Sequence, residues 1–243
     1  MVDVLHTVDQ GVGAHIVANV IWYYAVLMAV FGGATYAERI QRCYKDLKQW
    51  YKETRTECKL QGPLTAERVR ASGDWPKLKA KAAATRHLAE YALNLAQRFA
   101  RVDSLDAFTQ THDQMSLAAC QLLVEFYALL RNESQTLSAE AKARIPILGN
   151  QLASIYSKLA KLSFVKQWRL WKLLPKLHLF LHLCVEQAPM MGNPRFFWTY
   201  GDEDLVKWMI LIAEGVHPAT LAASVLGKWL WCIFDQLLVN FDE

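Results

Sequence analysis

The stretch AHIVANVIWYYAVLMAVF, residues 14–31, decides the fold class of this chain. Only His15 and Asn19 interrupt its apolar character, and two glycines follow it as a helix stop. Its part from Ile16 to Phe31 has sixteen residues and would extend about 24 Å as a helix, short of the ~30 Å hydrocarbon core of a bilayer. The stretch therefore predicts a buried helix of a large helical domain.

The rest of the chain also reads as helical. From Tyr36 to Glu53 apolar side chains recur every three or four residues with basic residues between them, which indicates an amphipathic helix. No segment alternates at a period of two, so the sequence predicts an all-α fold, an irregular multi-helix domain with no substantial β-sheet. The other predicted helices run from Pro76 to about Arg101, from Ser104 to Arg131, from Ser138 onward with a bend or interruption at Pro146, on both sides of Pro175, from Asp202 to Glu214 and from about Pro218 to Val239.

The 243 residues can bury a sizeable core. No low-complexity linker divides them, so we predict a single helical domain over residues 1–243, with a weak boundary near residues 62–75, where glycine and proline break the pattern. Five scattered cysteines without C-x-x-C spacing indicate a reducing compartment, and neither a disulfide framework nor a zinc finger. No basic segment precedes the apolar run, so we expect no secretory signal and a nuclear or cytoplasmic location.

Positive charge is concentrated in two parts of the chain. The formal net charge is +4, but residues 38–101 hold 15 Lys and Arg against 7 Asp and Glu, and residues 141–185 hold eight Lys and Arg and no acid. The second segment is either a solvated surface or a face that attracts a polyanion such as nucleic acid. The residues that would form this face are Lys158, Lys161, Lys166, Trp168, Arg169, Trp171, Lys172 and Lys176.

Three short motifs contain candidate metal-binding or catalytic residues. Asp3 and His6 are spaced so that the carboxylate caps a helix and orients the imidazole, either as a functional pair or as an ordinary cap. His178 and His182 lie one helical turn apart and form half of a metal site, or else a hydrogen-bonded structural pair, since we find no third ligand on that face. The acidic triplet at residues 202–204 either complements a helix dipole or provides Mg²⁺ ligands.

Several of these motifs together resemble a known family. They are DVLHTVDQGV at residues 3–12, LPKLHLFLHL at 174–183 and GNPRFFWTYGDEDLV at 192–206. With them, the chain resembles the C-terminal part of cut-and-paste transposases that have an RNase H-like catalytic domain. It is most similar to transposable-element proteins of dinoflagellates, and more distantly to the CACTA group.

The resemblance implies roles for individual residues. In this family an Asp-Asp-Glu set binds two metal ions, a Cys-or-Asp-x-x-His signature follows the second Asp, and a long helical insertion precedes the final Glu. By resemblance, Asp3 and His6 are the signature pair, residues 14–200 are the insertion, and Glu203 is the last catalytic acid. Mg²⁺ is implied for full-length relatives. We expect this chain to lack the strands that carry the two catalytic Asp residues, so Glu203 would bind metal only if complemented, and the chain alone would bind no cofactor and cut no DNA.

The leading hypothesis is therefore a transposase-derived helical domain that binds DNA without sequence preference, or binds a partner protein such as the missing catalytic core. One alternative is a membrane-associated protein that uses residues 14–36. Another is a helical scaffold that packs on partner helices through its C-terminal helix. The apolar residues of that helix are Trp229, Trp231, Phe234, Leu237 and Leu238.

Overall fold

The computed structural model describes residues 2–56, 58–70, 74–101, 103, 106–197, 210–211, 213–214, 216–227 and 230. All regular structure in these ranges is helical and none is strand, which confirms the predicted all-α fold. The chain divides into two compact units, Met1–Phe197 and Trp198–Glu243. The predicted weak boundary at residues 62–75 falls inside the first unit, and a single domain over the whole chain stays a prediction.

Most of the apolar stretch lies in a buried helix, as predicted. That helix comprises a π-helical segment at Leu5–Val12, helix α1 (Gly13–Ile21) and a second π-helical segment at Trp22–Leu27. It ends before the predicted glycine stop, since residues 28–31 are not helical. Every residue from 11 to 26 is buried, so most of the segment assigned to a membrane in the first alternative faces protein instead. Among the residues described, no helix combines the length and the apolarity needed to cross a bilayer.

A glycine lets the first helix bend close to a later helix, α7 (Pro175–His182). Gly11 has φ −114° and ψ −113°, outside the helical region. A Cβ atom at this position would come within 2.9 Å of both the His6 carbonyl oxygen and the Lys176 side chain. Because glycine lacks that atom, the N-terminal turns can pack directly on α7.

A buried carboxylate joins the first helix to two others, α4 (Ala82–Phe99) and α5 (Ala107–Asn132). Asp9 is fully buried. Its Oδ2 lies 2.8 Å from Arg86 Nη2, and its Oδ1 accepts a hydrogen bond of 2.6 Å from the Tyr127 hydroxyl. The charge is thus compensated inside the core, as a buried ion must be.

Helix α2 (Tyr36–Thr54) is amphipathic, as its periodicity predicts. The Thr35 hydroxyl accepts the Glu38 N–H and caps the helix. The apolar face packs on the segment Trp22–Leu27. Its buried residues are Ile40, Cys43, Leu47, Trp50 and Tyr51.

The helix expected from Pro76 begins only at Ala82. Residues 74–81, after the short helix α3 (Ala66–Val69), run over α1 in a non-helical conformation. The Leu78 N–H donates to the Ala14 carbonyl at 3.2 Å, and the N–H groups of Lys77 and Lys79 donate to carbonyls of α3. These tertiary hydrogen bonds replace the helical ones, which is why local helix propensity fails here.

The remaining helices follow the sequence more closely. Asp106 caps α5, and Ser138 caps α6 (Ala139–Val165), which continues through Pro146 rather than stopping there. Helix α7 begins at Pro175, where a first-turn proline is tolerated, but residues 166–174 before it are not helical, so the helix predicted on that side of the proline ends at Val165. The first unit ends with a π-helical segment Leu183–Gln187, helix α8 (Ala188–Met191) and a 3-10 turn Pro194–Phe197. In the second unit the described helical parts are residues 210–211 and 213, the 3-10 turn Pro218–Thr220, residues 221–227 and residue 230.

Candidate nucleic-acid interface

The loop between α6 and α7, residues 166–174, lies near residues 74–81. Burial lowers the pKa of Lys176, and the positive charge of Lys77 lowers it further. Burial likewise lowers the pKa of Arg70, with Arg169 as the next cause. The fold thus brings together the two parts of the chain that hold excess positive charge. We call the following residues the basic face: Arg70, Lys77, Lys79, Arg169, Lys172 and Lys176.

Trp75 lies between two clefts of the basic face. One cleft of about 380 Å³ is lined by Lys77 and Lys79, and the other, of about 450 Å³, by Trp168 and Arg169. Both tryptophans are partly exposed. Indole rings beside lysine and arginine are the combination that stacks on unpaired bases while the cations contact phosphates.

Trp171 anchors the 166–174 loop in the core. It has a left-handed φ of 56° and is 1% exposed. Its backbone N–H donates to Asn19 Oδ1 at 2.8 Å, and its indole N–H donates to His112 Nε2 at 3.3 Å. Because the ring is buried it cannot stack on a base, and we remove Trp171 from the predicted nucleic-acid-binding residues.

Three further predicted lysines are exposed on α6 or just after it. Lys158 lines a cleft between α5 and α6 that also contains Glu125, so it is separate from the two clefts beside Trp75. Lys166 lies over the Phe108 ring, with Nζ 4.6 Å from the centroid. Lys161 is exposed on the last turns of α6. The structure therefore shifts the centre of the candidate interface away from Lys158 and towards Lys77.

Asp3 and His6 meet at the N-terminus of the first helix, beside Lys176. Asp3 accepts hydrogen bonds from the Leu5 and His6 backbone N–H groups at 3.2 and 2.8 Å, and its Oδ2 lies 2.7 Å from His6 Nδ1. Lys176 Nζ donates to the His6 carbonyl at 2.7 Å. The carboxylate therefore caps the helix and orients the imidazole, as the spacing indicates.

The structure leaves the implied catalytic set untested. Glu203 lies outside the described residues, so its role as a remnant acid stays a prediction. Within the ranges that the structure describes, no three His, Cys, Asp or Glu side chains form a group that could hold a metal ion.

A buried polar cluster beneath the basic face was missed at the level of sequence. Asp113 is fully buried and accepts hydrogen bonds from the Tyr23 hydroxyl at 2.6 Å and from the Arg101 backbone N–H and Nε at 2.8 and 3.0 Å. Burial by itself raises the pKa of Asp113, but the adjacent His112, Arg101 and Tyr23 groups lower it to about 2. The carboxyl is therefore ionised at neutral pH, and the cluster stabilises the core rather than offering an open reactive group.

Two buried histidines, His112 of this cluster and His15 beside Pro76, are neutral. His112 Nε2 accepts the Trp171 indole N–H, so its proton sits on Nδ1, and burial lowers the pKa of His112. His15 Nδ1 lies 2.8 Å from the Pro76 carbonyl, to which it donates. Burial lowers the pKa of His15 from 6.5 to about 4, the Pro76 hydrogen bond opposes that shift, and nearby lysines of the basic face add to it.

We expect the free energy of unfolding to fall as the pH is lowered from about 6.5 to about 4. Over this range the unfolded chain protonates His15 while the folded chain does not, so acid favours unfolding by about 3 kcal/mol at the end of the range. Urea denaturation at several pH values should show a shallower pH dependence for His15→Asn than for the wild type. Parallel curves for the two proteins would contradict this assignment, since His112 would then account for the whole effect.

No protein-family profile, curated protein or solved structure was found to match the chain.

Proposed function

We propose that this chain binds DNA through the sugar-phosphate backbone at the basic face, without sequence preference. The observation that carries the proposal is the convergence of two distant basic segments, because Trp75 shares one cleft with Lys77 and Lys79 and a second cleft with Arg169. Like charges repel when they are brought together, so such a surface is most favourable when a polyanion neutralises it. Phosphate binding also releases counterions from DNA, which adds to the affinity.

The partly exposed indoles beside these cations support contact with unpaired bases as well. Trp75 and Trp168 line the two clefts, and stacking of a base on an aromatic ring contributes about 1–3 kcal/mol without regard to sequence. Asp74 lines the first cleft too and Asp3 lies near Lys176, so the positive surface has acidic neighbours at these points. We place the phosphate contacts on the exposed cations Lys77, Lys79 and Lys172 rather than on Lys176, which is only partly exposed and lies near Asp3.

The origin of this helical domain from a transposase remains a hypothesis. A helical accessory domain of that kind would grip DNA while a catalytic core acting in trans supplies the remaining metal ligands, with Glu203 as the acid from this chain. Under this proposal the isolated chain binds DNA and leaves it intact in the presence of Mg²⁺.

Salt dependence tests the proposal directly. Fluorescence anisotropy of a labelled duplex and of a labelled single strand, titrated with the untagged chain between about 50 and 200 mM KCl, gives the slope of log K against log salt. Neutralisation of about four phosphates predicts a slope of roughly −3 to −4 on duplex DNA. A slope near zero, or affinity that depends strongly on base sequence, would refute backbone binding.

A further inference from the structure

A pair of histidines on α7 brings two ring nitrogens into contact. The Nε2 atoms of His178 and His182 are 2.9 Å apart, and the ring centroids are separated by 4.4 Å. Residues four apart share one face of a helix, and both side chains reach solvent. The hydrogen-bonded pair that the sequence left as one of two options is thus present, but its geometry also suits a shared ligand.

A glutamate in the π-helical segment that follows α7, one turn beyond His182, sets the protonation pattern. Glu186 Oε1 lies 2.9 Å from His182 Nδ1. A carboxylate accepts, so His182 carries its proton on Nδ1 and presents a lone pair on Nε2. His178 then donates its Nε2 proton to that lone pair. If the His178 proton moves to Nδ1, both Nε2 atoms present a lone pair to the space between the two rings.

We propose that His178 and His182 bind a divalent transition-metal ion through their Nε2 atoms. Metal–nitrogen bonds of about 2.0–2.1 Å at a tetrahedral angle need the two nitrogens roughly 3.3 Å apart, so the rings must open by only about 0.4 Å. Glu186 would act as the carboxylate that orients a metal-bound histidine and raises its basicity. Imidazole ligands select Zn²⁺, Cu²⁺ or Ni²⁺ over Mg²⁺ and Ca²⁺.

The protein supplies two ligands to this site. Since the described residues contain no third His, Cys, Asp or Glu in a common metal-binding group, water or a donor atom of another molecule fills the other positions. The site shares no residue with the proposed DNA contacts at Lys77, Lys79 and Lys172, so it stands independently of the proposed function. Its metal would link consecutive turns of α7, whose first turn carries Lys176 of the basic face.

Calorimetric titration of the untagged full chain with Zn²⁺, Ni²⁺ and Mg²⁺ tests the site. We expect one Zn²⁺ or Ni²⁺ per chain, no heat from Mg²⁺, and weaker binding at lower pH because protons compete for the imidazoles. His178→Ala and His182→Ala should each lower the Zn²⁺ affinity at least tenfold, and Glu186→Gln by about 10- to 100-fold. His87→Ala on α4 is the matched control and should bind as the wild type does.

Two further measurements distinguish the loss of the metal site from the loss of the fold. Long-range ¹H–¹⁵N spectra of the wild type should show the Nε2 resonances of two histidines shifting on Zn²⁺ addition and no shift of His87. Circular dichroism should show that each variant keeps the helical content of the wild type. Equal Zn²⁺ affinity of the wild type and the folded His178→Ala/His182→Ala protein, or Nδ1 shifts in place of Nε2 shifts, would overturn the proposal.

Discussion

Asp113→Ala is expected to lower the free energy of unfolding by about 3 kcal/mol. Removing one partner of a buried ion pair typically costs about 3–5 kcal/mol, because the other groups stay buried without their partner. Here the lower end applies, since the Arg101 side chain is 44% exposed and can turn to water. The Tyr23 hydroxyl is fully buried and loses its acceptor, so most of the loss arises there.

Urea denaturation at pH 7 measures this loss, and the same helix offers a matched control. Asp106 caps α5 with bonds of 3.3 and 3.2 Å to the N–H groups of Phe108 and Thr109, and it is exposed. Asp106→Ala should cost only about 1 kcal/mol, as loss of a helix cap does. Asp113→Asn keeps an acceptor for Tyr23 and should fall between the two. Equal losses for the two Ala variants would show that the buried cluster contributes no more than a cap.

Reversing three charges on the basic face is expected to reduce DNA affinity on the order of 100-fold at about 50 mM salt. The variant Lys77→Glu/Lys79→Glu/Lys172→Glu removes three exposed cations and places acids against phosphate. Each lost phosphate contact flattens the slope of log K against log salt by about 0.9, so roughly 2.7 of the slope should disappear. Anisotropy with the duplex used for the wild type measures both quantities.

The control variant carries the same change of net charge elsewhere. Lys45→Glu/Lys52→Glu/Lys59→Glu alters three exposed lysines outside the basic face and its two clefts. It should weaken DNA binding far less, through the long-range field alone. If both triple variants lose affinity to the same extent, net charge rather than the basic face governs binding. Lys176 is left unchanged in both because its bond to the His6 carbonyl supports the first helix.

Local sequence patterns correctly predicted those helices whose buried face and N-terminal cap are formed by residues of one short segment. The apolar run around α1 and the three- and four-residue spacing in α2 were sufficient, because burial of one face dominates the energetics of each. Ser138 was likewise predictable as a cap, since it acts only on the N–H groups of the next turn.

The segment at residues 74–81 shows where local patterns fail. Lysine and alanine favour a helix there, but Leu78 pairs its backbone with Ala14, 64 positions earlier in the chain. The basic face depends on the same long-range contact. Without it, the placement of Lys77 beside the α6–α7 loop cannot be derived from charge counts.

The sequence could have predicted that Asp113 is buried, but it could not have identified the partners of its carboxylate. It precedes Ser116 by three positions and Leu123 by ten, which places a carboxylate on the buried face of α5. A buried charge requires compensation, but periodicity cannot say that Tyr23 and Arg101 provide it. Glu186 was overlooked in a similar way. It lies four residues after His182 and therefore on the same face as His178 and His182, but the sequence analysis ended at the histidine pair.

The sequence by itself determined that this protein is helical, that residues 14–26 are buried, and that its positive charge lies in two segments. These properties follow from short-range periodicity and composition, which act within a few turns of chain. Only the tertiary structure decided that the two basic segments adjoin, that Trp171 is an anchor and not a stacking surface, and that buried carboxylates join the helices. Those outcomes depend on hydrogen bonds between residues far apart in the chain. A periodic pattern along the sequence does not specify which distant residues form these bonds.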